Sequence, residues 1–110
     1  MRDITFERVT ARGIKMPLNA YGQDSKYGYE FCVPLDLTLR DCSISFSAEV
    51  PEFIRGANVR LLTLDNVNVK GVTGPLLRTW QGETEVKANN LKGVGVDVEK
   101  EHGIWNAGAI

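Results

Sequence analysis

The sequence has little of what metal, disulfide and redox chemistry require. It contains one histidine, His102, and two cysteines, Cys32 and Cys42, which are not spaced as a CxxC motif. Two thiols do not make a disulfide framework, and a lone histidine without neighbouring ligands disfavours a metal site. We therefore predict no metal and no cofactor, with both thiols reduced and Cys42 packed as a small apolar residue.

Long apolar runs and a strong net charge are also missing. No stretch approaches the roughly 18 apolar residues of a membrane span. The formal net charge is only −1, so no positive field would attract nucleic acid or an anionic membrane. The opening residues, MRDITFERVT, lack the apolar core of a signal peptide. We expect a cytoplasmic protein if the chain is complete and otherwise leave the compartment open.

The 110 residues do contain a repeated sequence motif, which is clearest in LTLDNVNVKGV at 62–72. More diverged copies of the motif occupy 4–14, 37–46 and 86–96. The copies therefore start at 4, 37, 62 and 86, which lie 33, 25 and 24 residues apart. The last two spacings are typical of one turn of a solenoid. The first is longer because it carries 19–34, which is rich in glycine and polar residues and is predicted to be a loop.

Each copy alternates apolar and polar residues, which indicates β-strands with one inward face. The alternation breaks at Asp41, Asn66 and Asn90, whose side chains favour left-handed bends, and again at a glycine. Gly13, Gly71 and Gly93 are those glycines. A third apolar run follows in three copies, at 16–18, 52–54 and 75–77.

Three strands and three corners per copy predict an all-β fold, a parallel β-helix (single-stranded solenoid) of about four coils. The domain is 1–110, with coils starting near 4, 37, 62 and 86, a loop insertion at 19–34 and a C-terminal tail at 98–110. Equivalent side chains should stack in columns, and Asp41, Asn66 and Asn90 should form a ladder at one corner. The alternative is an antiparallel β-sandwich, which the absence of Asn-Gly and Asp-Gly hairpin turns disfavours.

Two stretches, ITFERVTARGIKMPLNAY and LLTLDNVNVKGVTGPLL, resemble the late coils of pectin-degrading glycoside hydrolases of the polygalacturonase type. These belong to family 28, in the pectin lyase-like superfamily. The resemblance covers 2–94 and implies a right-handed coil. The family's N-T-D, D-D, G-H-G and R-I-K motifs do not occur here, and RGIK at 12–15 carries an extra glycine. No catalytic residue is assigned, and this chain alone is expected to be inactive.

A candidate binding edge follows the third strands. Tyr21, Arg55, Arg78 and Trp80 should line it when the coils stack. Aromatic rings stack on sugar faces and arginines hold carboxylates bidentately, so an acidic oligosaccharide is the expected ligand. The alternative is that Trp80 covers its own coil and the arginines are ordinary surface residues.

These patterns leave three functions open. The chain is the C-terminal β-helix part of a hydrolase, a small standalone β-helix that binds carbohydrate or a protein, or a small enzyme with an unrecognised site. The strand at the N-terminus has no capping element before it, whereas Ile104 and Trp105 are candidates to cover the last coil. We therefore expect a homo-oligomer formed through uncapped ends, most simply a dimer.

Overall fold

The computed structural model describes residues 2–21, 34–80 and 82–100, and all regular elements in these ranges are β-strands. The all-β prediction is confirmed for them. In chain order the strands are β1 Arg2–Glu7, β2 Thr10–Ile14, β3 Leu18–Tyr21, β4 Leu35–Val50, β5 Ile54–Ala57, β6 Val59–Val72, β7 Leu77–Thr79, β8 Glu85–Lys92 and β9 Val98–Lys100.

The strands form two parallel sheets that the chain visits in turn. Sheet 1 has the order β1-β4-β6-β8, with β2 also paired to β4, and sheet 2 has the order β3-β5-β7-β9. Each sheet gains its strands in sequence order, and all the pairings are parallel. The antiparallel sandwich is wrong for these strands, since successive neighbours are joined by a crossover through the other sheet rather than by a hairpin.

The register confirms the columns that the repeat predicts. In sheet 1, Ile4 pairs with Leu37, Leu37 with Leu62, and Leu62 with Val86. Two residues further on, another column contains Phe6, Leu39, Leu64 and Ala88. Sheet 2 has its own apolar column, which contains Leu18, Ile54, Leu77 and Val98. Side chains of like character therefore stack along each sheet, as the period of about 24 residues requires.

The core lies between the two sheets and is densest around β4, β5, β6 and β7. The rings of Phe46 and Phe53 meet edge to face there, with centroids 6.2 Å apart. Cys42 is buried, and its thiol donates to the carbonyl oxygen of Arg40 at 3.3 Å. Its prediction as a small packed residue is confirmed, whereas Cys32 lies outside the described residues.

The predicted polar corner is present. Asp41, Asn66 and Asn90 have φ angles of 54°, 58° and 56°, in the left-handed region that Asn and Asp tolerate. Asn66 Nδ2 donates to Asp41 Oδ1 at 2.8 Å, and Asn90 Nδ2 donates to Asn66 Oδ1 at 2.7 Å. The side-chain ladder is thus confirmed, and Arg8 has the left-handed conformation at the same corner in the first copy, with φ 57°.

The structure differs from the prediction of three short strands per copy. β4 and β6 each run unbroken through the polar corner, because the inter-strand pairing resumes directly after the left-handed residue. The strands of sheet 2 begin only at Leu18, Ile54 and Leu77, the last residue of each predicted run. Proline precedes two of these starts closely, and it has no N–H to donate to a sheet.

Two predicted irregular segments start later than expected. The insertion at 19–34 overlaps β3 as far as Tyr21, and the tail at 98–110 begins with β9, which pairs with β7. The fourth copy therefore also contributes to both sheets. Residues 22–33 and 101–110, with His102, Ile104 and Trp105, lie outside the described part of the chain.

Candidate functional site

Sheet 2 brings two of the four predicted binding residues together. Arg55 of β5 and Arg78 of β7 are direct partners in the parallel pairing. Trp80 follows β7 by one residue and is half-buried. Tyr21 ends β3 opposite Ala57, but its side chain lies outside what the structure describes.

A buried carboxylate lies beneath the arginine pair. Glu52 is fully buried, and its Oε1 accepts a hydrogen bond from Arg55 Nε at 2.8 Å. Its Oε2 lies 3.4 Å from Arg78 Nε without a hydrogen bond. Arg78 Nη1 in turn donates to Glu99 Oε1 of β9 at 2.8 Å. Two cations and two anions thus form one network across β5, β7 and β9.

This network bears on the predicted sugar site. The guanidinium groups of Arg55 and Arg78 already neutralise Glu52 and Glu99, so an acidic sugar would compete with these carboxylates. Binding of an acidic oligosaccharide by Tyr21, Arg55, Arg78 and Trp80 stays a prediction. Sequence reasoning missed Glu52 and placed it in a strand. The available signal was its spacing of three from Arg55, with Arg78 at the matching position of the next copy.

Large apolar side chains of the first copy are exposed in β1 and just after it. Ile4, Phe6 and Val9 are 39%, 49% and 37% exposed. In the column of Phe6, the next two members, Leu39 and Leu64, are 3% and 0% exposed. Because the same column is buried in β4 and β6, the exposure of Phe6 follows from the position of β1 at the end of sheet 1.

These side chains border a pocket of about 480 Å³. Its lining is almost wholly apolar and comes from both sheets; it includes Phe6, Ile14, Leu18, Leu35, Leu39 and Ile54. In the described part of the chain, β1 and β2 each pair with β4 alone, so their other edges carry unpaired backbone groups. We call this surface the open end. It combines an apolar concavity with two strand edges.

An ion pair on the outer face of sheet 1 should make stability depend on pH. Arg60 Nε donates to Asp36 Oδ1 at 3.0 Å, and this hydrogen bond holds the pKa of Asp36 below its ordinary value of 3.8. As the pH falls, the unfolded chain takes up the proton first. The contribution of the pair is therefore complete above the unfolded pKa and is lost as the pH falls through the folded pKa.

We expect the stability difference between the wild type and Asp36→Asn to be largest at neutral pH and to vanish in strong acid. Urea unfolding at pH 7 and at about pH 2 measures it. Asp3→Asn is the matched control, because Asp3 pairs with Asp36 in the neighbouring strand. A difference that persists unchanged at the lower pH would contradict the assignment.

The described residues offer no grouping of three or more His, Cys, Asp or Glu that could hold a metal ion. Nor do they include a helix long and apolar enough to cross a membrane.

Comparisons of the chain with family models, with curated proteins and with solved structures gave no match. The resemblance to polygalacturonase-type hydrolases therefore stays a prediction. The structure offers two candidate sites, the open end and the neighbouring arginines Arg55 and Arg78 of sheet 2.

Proposed function

We propose that the chain is a right-handed parallel β-helix that works as a protein-interaction module and accepts a further β-coil at its open end. The β-helix is supported by the path of the chain, which alternates between two parallel sheets and adds strands to each sheet in sequence order through four copies. Right-handedness follows from the strong preference of parallel crossovers for that hand.

The observation that carries the interaction role is the exposure of Phe6. Its column is otherwise apolar and buried through Leu39 and Leu64, and the pocket beside it is large enough for several side chains. Burying such apolar surface is favourable by about 25 cal/mol per Å². A partner coil would fill the pocket and also pair with the free edges of β1 and β2, which is the β-augmentation mode of recognition.

If the chain is part of a hydrolase, preceding coils of the same polypeptide would occupy the open end. If it is a standalone β-helix, another molecule would do so. Both place the same kind of structure, an in-register β-coil, on the same surface, and neither requires catalysis by this chain.

The proposal is tested by adding a coil in cis. A second copy of residues 62–85 is joined directly to Ile4, which keeps the repeat phase because Val86 follows Glu85 in the natural chain. We expect the extended chain to unfold at higher urea, since each repeat adds its own stability and a neighbour interface. Amide exchange in β1 should slow, because β1 becomes an inner strand.

The matched control is the same extension with lysine in the copied position of Leu64, which would place a charge in the column. It should leave both readouts near those of the natural chain. If the unaltered extension also unfolds at the same urea concentration as the natural chain and protects no β1 amide, the open end does not accept a coil and the proposal is wrong.

A further inference from the structure

We propose that the open end takes a second copy of this chain, stacked head to tail. This inference rests on the proposed function and names the partner. The last coil of one copy, with β8 in sheet 1 and β9 in sheet 2, lies against β1, β2 and β3 of the next. The two molecules then continue one pair of parallel sheets.

The apolar columns match across such a junction. β8 ends the columns that β1 begins, so Val86 of one copy meets Ile4 of the next, and Ala88 meets Phe6. Phe6 is the largest member of its column and Ala88 the smallest, and both are exposed. A large side chain over a small one fills the space without overpacking, as alternating large and small residues do in a native core.

The polar positions beside these columns match as well. Along one row, Arg40 lies 3.4 Å from Glu7 and 3.5 Å from Asp65, and Asn89 Nδ2 donates to Asp65 Oδ1 at 3.1 Å. Head-to-tail stacking sets Asn89 beside Glu7 of the next copy, where an amide N–H meets a carboxylate.

The corner ladder continues in the same way. It ends on Asn90, which donates to Asn66, and the equivalent corner residue of the first copy, directly after β1, is Arg8. Arg8 brings only donors, and Asn90 has an amide oxygen to accept them. Both polar rows therefore cross the junction with a donor facing an acceptor.

A head-to-head dimer is less favourable because of its charges. A two-fold axis pairs β1 with β1 in antiparallel register, and setting Ile4 opposite Phe6 also sets Asp3 opposite Glu7. Symmetry repeats this contact, and like charges directly opposite each other destabilise a sheet. The head-to-tail junction has one such approach, Asp3 to Glu85, and Lys87 lies 3.8 Å from Glu85 to offset it.

Head-to-tail contacts of this kind do not close on themselves, so they generate linear chains of molecules. We expect the wild type to form a concentration-dependent series of linear oligomers in sedimentation velocity between about 1 μM and about 1 mM.

Two variants, each blocking one end, test the arrangement. Phe6→Lys charges the open end and Ala88→Lys charges the opposite end, and both sites are exposed in the single chain, so each variant should fold. Each alone should weaken self-association at least a hundredfold. An equimolar mixture should form dimers that grow no further, because one intact end of each kind remains. Ser47→Lys is the control and should behave as the wild type, since Ser47 is exposed on β4, which is paired on both sides and lies at neither end of sheet 1.

The other outcomes overturn the inference in distinct ways. If Ala88→Lys still dimerises and Phe6→Lys does not, the contact is head to head. If both variants associate as the wild type does, the interface lies elsewhere. A wild type that stays monomeric overturns self-assembly, and the added-coil experiment then decides separately whether the open end accepts a coil at all.

Discussion

Replacement of Arg78 by alanine is expected to lower the free energy of unfolding by about 3 kcal/mol. Glu52 is fully buried, and the Arg78 guanidinium lies 3.4 Å from its Oε2. Removing one partner of a buried pair leaves an uncompensated charge, and this costs much more than the pair contributes. Arg55 remains bonded to Oε1, but its side chain is 47% exposed and holds the carboxylate from the solvent side.

Two further variants separate the buried charge from a general loss of surface charge. Lys87→Ala breaks an exposed ion pair with Glu85 and should cost no more than about 0.5 kcal/mol. The double variant Glu52→Leu with Arg78→Ala removes both charges and should recover most of the loss. Urea unfolding of the three variants decides the matter. A cost for Arg78→Ala as small as that for Lys87→Ala would show that Arg78 does not stabilise the buried carboxylate.

The sequence alone predicted the register of sheet 1 well, for a physical reason. When repeated copies pair in parallel, each inward position meets its own counterpart, so like residues recur at a fixed spacing, as Leu37 and Leu62 do. The corner at Asn66 was predictable for a similar reason, because few side chains accept a left-handed conformation and also bond to the equivalent residue in the neighbouring strand.

The charge network at Glu52 could not be predicted in the same way. A glutamate beside a phenylalanine and an isoleucine in EFI looks like the exposed member of an alternating strand. Its burial depends on the turn that precedes β5 and on Arg78, which lies 26 residues later in the sequence, in the neighbouring strand β7. Apolar periodicity reports which residues face inward along a strand, but it does not report how a corner aims a long polar side chain.

The second large expected effect is a difference in stability between two substitutions in one column, at Leu64 and at Phe6. Leu64→Ala should lower the free energy of unfolding by about 3 kcal/mol, because Leu64 is fully buried between β4 and β8 and its truncation leaves a cavity. Phe6→Ala removes more atoms from the same column, yet it should cost only about 1 kcal/mol in dilute solution, since about half of Phe6 is already in water.

This contrast also connects stability with assembly. If the open end is filled by another coil, Phe6 becomes buried in the complex, and binding to the folded state alone adds stability that rises with concentration. The cost of Phe6→Ala should therefore grow as the protein concentration is raised, whereas the cost of Leu64→Ala should stay constant. Urea unfolding at about 1 μM and at about 100 μM compares the two. Equal costs for Phe6→Ala and Leu64→Ala in dilute solution would mean that Phe6 is already covered within a single chain, and the open end would then not exist.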